Sequence, residues 1–259
     1  MVGRVHDVQV DGHRLEARLH PPRDAGAPWI VFLHEGLGSA RQWKDFPARL
    51  AAMTGCGFLV YSRWGYGGSD PRPRPWPMDF LERETGVVLP ALLDAAGIVR
   101  PVLFGHSDGA TIALMHAADR PDGVRGVVSE AAHVMLEEIS VQGITRARDR
   151  FLHGDLRARL RAQHGDHVDD TVLGWTGVWL TPELRAWDIR PRLAAIRCPV
   201  LVIQGREDNF GTLAQVRDIA QGVAGPAELL VLDECGHSPH REKAREVLEA
   251  SERFIRGLL

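Results

Sequence analysis

The sequence predicts an α/β fold: a mostly parallel sheet of about eight strands with helices on both faces. Three observations predict it. Short apolar runs, often β-branched, alternate with helical patterns along most of the chain, as in a parallel sheet covered on both sides. Val5 to His20 instead alternates apolar and polar residues about Asp11 and Gly12, the signature of a two-strand hairpin that starts the sheet antiparallel. A length of 259 residues suits one large α/β core better than two small domains.

After the hairpin, the strand runs are WIVFLH from Trp29, FLVYS from Phe58, PVLFG from Pro101, VRGVVS from Val124, PVLVIQ from Pro199 and AELLVL from Ala227. Between them, Ser39 is placed to cap a helix carrying Trp43, Phe46 and Leu50 and ending near Gly55, and Asp79 to open one running to Gly97. Thr111 to Ala118 continues a helix that begins just after Ser107. From about Glu130 to Leu193 the strand signal lapses and apolar residues recur at helical spacing, at Leu152, Leu156 and Leu160. Residues 130–193 therefore read as a helical cap inserted into a core made of 1–129 and 194–259. Its leucines read as ordinary helix packing; its tryptophans, Trp175, Trp179 and Trp187, suit a pocket wall or a core equally well. PRPRPWP from Pro71 reads as a stiff extended connector.

Composition excludes several classes of partner. With 31 basic against 34 acidic residues, a formal net charge of -3, no global field recruits nucleic acid or an anionic membrane. A small molecule is the expected partner, and nothing specifies an oligomeric state. The three cysteines, Cys56, Cys198 and Cys235, are widely spaced and form no CxxC pair, which points to a reducing compartment. The amino-terminal stretch MVGRVHDVQVDGHRL lacks the apolar core of a signal peptide, and no run reaches membrane-spanning length. A cytoplasmic location is the expectation.

The stretch GHSDG, Gly105 to Gly109, fits GxSxG at the junction of a strand and a helix. So sharp a turn strains the central residue, and side chains at the two glycine positions would collide with the neighbouring strand and helix. Ser107 is thereby pushed out above the sheet. A serine hydroxyl needs a base to take its proton and a carboxylate to orient that base. VLVIQGREDNFG from Val200 supplies Asp208 in a loop after a strand, and LVLDECGHSPH from Leu230 supplies His237 after the last strand.

In order and placement, these pieces resemble the α/β-hydrolase fold over essentially the whole chain. The resemblance rests on HEGLGS from His34, SRWGYGGS from Ser62, GHSDG from Gly105, GRED from Gly205 and GHSPH from Gly236. It implies an oxyanion hole formed by the backbone amides of Asp108 and of Gly36, with Leu37 as the alternative donor. It also implies that His34 and His106 are hydrogen-bonded scaffold, and it places Trp64 in a loop flanking the active site. Leu37, Trp64, Trp175 and Trp179 are thus the expected substrate pocket. The commoner loop reads His-Gly where this chain has His34-Glu35; the Glu35 side chain either faces the site or pairs with a nearby arginine, and the pairing is the expectation.

Placement separates the competing residues. Glu130 is an alternative acid at a strand end, but the GREDxxG setting favours Asp208, and Glu207 beside it points the other way. His240 lies three residues beyond the strand-end position and reads as structural or surface. His133, His153, His164 and His167 include a close HGDH group, but lack a third ligand of suitable geometry for a metal, and read as solvated loop. Arg146, Arg148, Arg150, Arg157, Arg159 and Arg161 form a basic stretch with Asp149 and Asp155. Since Lys44 and Lys243 are the only lysines, arginine is this chain's generic cation and the stretch reads as a solvated face.

The expected activity is that of a serine hydrolase acting on carboxylic esters, with Ser107 as nucleophile, His237 as base and Asp208 orienting it, and with neither metal nor organic cofactor. The same constellation serves carbon-carbon bond hydrolases, thioesterases, amidases and lactonases. In another class, it survives in ligand receptors built on this fold.

Overall fold

The computed structural model describes residues 4–259, so the first three residues of the amino-terminal stretch read above lie outside it. In chain order the elements are β1 (Arg4–Val10), β2 (His13–His20), β3 (Trp29–Leu33), α1 (Phe46–Thr54), β4 (Gly57–Tyr61), α2 (Phe80–Arg83) and α3 (Leu89–Ala95). Then come β5 (Val102–His106), α4 (Asp108–Asp119), β6 (Gly126–Glu130), α5 (Glu138–His153), α6 (Leu156–His164), α7 (Val168–Trp179) and α8 (Arg190–Leu193). The chain closes with β7 (Val200–Gly205), α9 (Leu213–Gly222), β8 (Ala227–Leu232), α10 (Pro239–Glu242) and α11 (Ala244–Arg256). One eight-stranded sheet has the order β1-β2-β4-β3-β5-β6-β7-β8. Its first two pairings, β1 with β2 and β2 with β4, are antiparallel, and the rest are parallel.

The period of two along each strand divides the core into two layers. Val31, Leu33, Leu103, Val127 and Val202 face one way, against α3, α4 and α9, while Ile30, Phe32, Phe104, Val128 and Ile203 face the other, against α1 and α11. The parallel strands β3 to β7 are buried almost throughout because both faces are covered. Asp11 and Gly12 both have positive φ, 50° and 79°, as a type I′ hairpin turn requires. No helix among the described residues is long and apolar enough to cross a membrane.

Two helices differ from expectation. Instead of one helix after Ser39, a 3-10 turn (Ala40–Trp43) precedes α1, and the Ser39 hydroxyl donates to Gln163 Oε1 at 3.1 Å rather than capping. Gly55 ends α1 at φ 78°, as expected. The helix from Asp79 widens into a π turn (Glu84–Val88) just before Pro90. A proline ring would otherwise clash with the carbonyl four residues back, and the wider turn makes room for it.

Between β6 and β7 the chain is helical, with α5, α6, α7 and α8 and two short 3-10 turns. Leu152, Leu156 and Leu160 do not share one helix, since the chain breaks at Gly154; Leu160 is buried whereas Leu152 is exposed. The arginines here are exposed and paired: Arg157 with Asp169, Arg161 with Asp166, and Arg150 and Arg159 with Asp155. The PRPRPWP connector has no regular structure and is pinned by the buried Trp76, which meets the Tyr66 ring edge-on at 5.3 Å.

Phe32, fully buried, stacks on Phe104 and meets Trp43 and Phe46 edge-on. Phe32→Ala should therefore lower stability by about 3–5 kcal/mol. Urea denaturation measures it, and a loss below about 1 kcal/mol would mean that this aromatic group is not a single packing unit.

Candidate active site

Ser107 sits between β5 and α4 with φ 55° and ψ −119°, a left-handed conformation costly for any residue with a side chain. Its N–H donates to the Glu130 carbonyl at 2.8 Å, which fixes the turn to the neighbouring strand. The flanking glycines are there for room. A Cβ on Gly105 would run into the Gly109 and Ala110 backbone, and one on Gly109 into the Leu33 carbonyl. The turn leaves the Ser107 hydroxyl facing a cavity of about 210 Å³, lined by Glu35, Gly36, Leu37, Leu136, Trp175, Trp179 and Phe210 among others.

The loops after β7 and β8 bring Asp208 and His237 to the same place. His237 Nε2 lies 3.0 Å from Ser107 Oγ, and Nδ1 lies 2.8 and 2.9 Å from the two Asp208 oxygens. A carboxylate only accepts, so Nδ1 carries the proton and Nε2 offers its lone pair to the serine O–H. Asp208 is held in turn, by the Phe210 N–H at 2.8 Å and by Gln204 Nε2 at 2.9 Å. Burial alone would raise its pKa, but the His237 imidazole and the Phe210 N–H outweigh burial and keep it below the ordinary carboxylate value.

Arg63 and His34 orient the loop after β3. The Glu35 carbonyl accepts from His34 Nδ1 at 2.7 Å, from Arg63 Nη2 at 2.9 Å and from the Gly38 N–H at 3.1 Å. In a planar trans peptide the N–H points opposite to the C=O. The Gly36 N–H therefore points away from this cluster of donors, and Gly36 itself lines the cavity. The Leu37 carbonyl is itself taken by His164 Nε2 at 3.1 Å. Asp108 opens α4, so its N–H has no acceptor within the helix.

Several residues stand elsewhere than expected. Trp64 does not line the cavity. Gly65 and Gly67, with φ 89° and 55°, curl its loop so that the indole stacks on His13 at 3.7 Å and donates to the Pro71 carbonyl. Among the described residues the Glu35 carboxylate pairs with no arginine; it lies 3.5 Å from His106 Nδ1, and Arg63 takes its backbone oxygen instead. His106 is hydrogen-bonded scaffold as expected: its Nε2 donates to the His237 carbonyl at 2.6 Å. His133 and His164 are buried rather than solvated. His164 binds the Gly67 N–H as well as Leu37, and burial pushes its pKa down to about 4. His133 lines the cavity, and burial and the nearby His237 lower its pKa likewise to about 4.

Asp108 contributes a side chain too. It accepts from Trp175 Nε1 at 2.8 Å and lies 3.7 Å from the buried Arg63 guanidinium. This bond lays the Trp175 indole directly against Gly36, where a Cβ would overlap it. Trp175 and Trp179 line the cavity, and Trp187 packs edge-on behind Trp179 at 5.1 Å. Glu130 is engaged by His240, 2.7 Å from its Nδ1, and does not touch His237; Glu207 turns away to bind the Cys235 N–H. His106, Glu130 and His240 bring ligand-type atoms within 4.8 Å of one another. Within it, His240 Nδ1 and Glu130 Oε1 are bonded to each other and His106 Nε2 to the His237 carbonyl.

Comparison with known proteins agrees with this fold. The model of the Alpha/beta hydrolase family matches residues 30–250. The 2-succinyl-6-hydroxy-2,4-cyclohexadiene-1-carboxylate synthases of Salmonella enteritidis and Salmonella typhimurium are 26% identical over 265 residues, 92% of this chain and 97% of theirs. An enol-lactonase from Burkholderia xenovorans has a similar crystal structure, with a TM-score of 0.77 and 25% identity over 96% of this chain and 99% of that one. A thermophilic esterase from Thermogutta terrifontis shares the fold, with a TM-score of 0.77 at 16% identity over 98% of this chain and 99% of its own.

Gly109→Ala places a methyl group against backbone atoms of β3, which cannot rotate aside. It should lower stability by about 2–3 kcal/mol, read by thermal and urea denaturation. An unchanged melting temperature would show that the turn has slack.

Proposed function

Because this chain belongs to the alpha/beta hydrolase family, we propose that it is a serine hydrolase that cleaves a small, uncharged carboxylic ester through an acyl-enzyme. The observation that carries this reading is the unbroken hydrogen-bond chain from Ser107 through His237 to Asp208, opening on an apolar cavity. His237 Nε2 takes the serine proton as Oγ attacks the ester carbonyl, and the developing oxyanion meets the amides of Gly36 and Asp108. The protonated imidazole then passes its proton to the departing alkoxide. Water enters, gives its proton to the same nitrogen and attacks the acyl carbon, so that the acid leaves and Ser107 is regenerated. Asp208 keeps the imidazole in the tautomer that can accept, and stabilises it once charged. These groups supply nucleophile, base and oxyanion donors, so the scheme calls for no cofactor.

The walls of the cavity support an uncharged acyl group. Leu37, Leu136, Ile144, Trp175, Trp179 and Phe210 are apolar, and no arginine or lysine is among the lining residues. The Arg63 side chain nearby already serves the Glu35 carbonyl and Asp108. A substrate carboxylate would lose its water here, and the one charged imidazole in the wall, His106, is already held between Glu35 and the His237 carbonyl, unlike the carboxylate for which the Salmonella relatives are named. A lactone, as an internal ester, fits the same chemistry, and the likeness to an enol-lactonase favours testing it beside open esters.

The test is a panel of aryl butyrate, aryl hemisuccinate and a small enol-lactone, with fluorophosphonate labelling. Butyrate should be turned over at least ~10-fold faster in kcat/KM than hemisuccinate, since one uncompensated buried charge costs more than the ~1.4 kcal/mol that this ratio represents. Ser107→Ala should abolish labelling and lower kcat by roughly 10⁵-fold or more, and Asp208→Asn by roughly 10⁴-fold. No label on Ser107 and no turnover would sink the hydrolase reading; faster hemisuccinate cleavage would sink the uncharged substrate alone.

A further inference from the structure

We propose that Glu35 is a positioning residue: through His106 it ties the loop carrying the Gly36 amide to the loop carrying His237, and so holds both halves of the site in register. This rests on the reading of Ser107 and His237 as nucleophile and base. The geometry is direct. His106 Nε2 donates to the His237 carbonyl at 2.6 Å, and on the far side of the same ring Nδ1 lies 3.5 Å from the Glu35 carboxylate. One buried imidazole thus bridges two loops that are about 200 residues apart in the chain, and it belongs to the residue immediately before Ser107.

The bridge needs a proton on each ring nitrogen, because the carbonyl and the carboxylate both accept. The groups facing His106 are Glu35 from the loop after β3, Glu130 at the end of β6, and His237 and His240 from the loop after β8 and from α10. Burial opposes the charged ring, but the two carboxylates and the His237 carbonyl outweigh it and lift the His106 pKa to about 9. On the other side, burial would raise the Glu35 pKa, but His106 and His34 outweigh burial and hold the carboxyl well below the usual range. Glu35 is therefore charged throughout the neutral range. His106 is protonated until the pH passes its raised pKa, when Nδ1 loses its proton and the tie to Glu35 lapses while the bond to His237 remains. The resulting stability is full below the ordinary histidine pKa and is lost as pH rises through about 9.

Glu35→Gln keeps the shape and removes the charge; Glu35→Asp keeps the charge and shortens the reach. The experiment is run on the whole protein with three readouts: the alkaline limb of kcat for aryl butyrate, the NMR titration of the His106 ring, and the low-field proton of His237 Nδ1 bound to Asp208. In the wild type, kcat should fall as His106 titrates, near pH 9. In Glu35→Gln both should move down together by at least one pH unit. At pH 8 its kcat should be about tenfold lower, with the larger change in kcat rather than KM, and its low-field proton should broaden. Glu35→Asp should fall between the two proteins. A His106 titration that is the same in the wild type and Glu35→Gln would overturn the proposal. So would a shifted titration that leaves both the alkaline limb and the low-field proton in place. If no ester is cleaved and Ser107 takes no phosphonate, the hydrolase reading fails by itself, and the two NMR readouts still decide whether Glu35 holds the His237 loop through His106.

Discussion

The left-handed turn at Ser107 is the constraint on which the rest of the site depends. It closes because two glycines let β5, β3 and α4 approach backbone to backbone, and because the Glu130 carbonyl captures the Ser107 N–H. Once closed, it sets the height of the Ser107 hydroxyl above the sheet, places the amide of Asp108 beside it, and sends His106 and Asp108 to different partners. His106 reaches the His237 loop, and Asp108 reaches Arg63 and Trp175. The strain in one residue is thus held by contacts made on both of its sides.

Around that turn the polar groups form two layers. The outer one lines the cavity: Ser107, His237, Gly36 and Asp108. The inner one holds it in place: His34 and Arg63 on the Glu35 carbonyl, Gln204 and the Phe210 amide on Asp208, and Glu130 on His240. The inner groups are nearly all withdrawn from solvent and spend their hydrogen bonds on one another. Buried polar groups arranged like this favour one geometry over its neighbours, since any shift leaves a donor or an acceptor unmatched.

Much of the frame was legible in the sequence, and the reason is local. Strand runs, the Asp11-Gly12 turn and the two glycines about Ser107 each impose a backbone geometry that a few neighbouring residues determine. The meeting of Ser107, Asp208 and His237 could be read from their places at strand ends. What could not be read was where long side chains go once the loops are folded. Glu35 was expected to find an arginine, and Arg63 does come to it, but for the carbonyl. Trp64 was expected at the cavity, yet the left-handed glycines after it turn it toward the hairpin. His133 and His164 looked like loop histidines because their burial depends on the packing of α5, α6 and α7 over the sheet, which no short window of residues encodes.

The peptide between Glu35 and Gly36 carries a further consequence. With three donors gathered on its oxygen, rotating it would break all of them at once, so its dipole is frozen when the protein folds. Water around a newly formed charge must turn to meet it, whereas the dipole of this peptide is already set. The reorganisation that solvent would undergo has been completed once, during folding, by an arginine, a histidine and a backbone amide gathered on one oxygen.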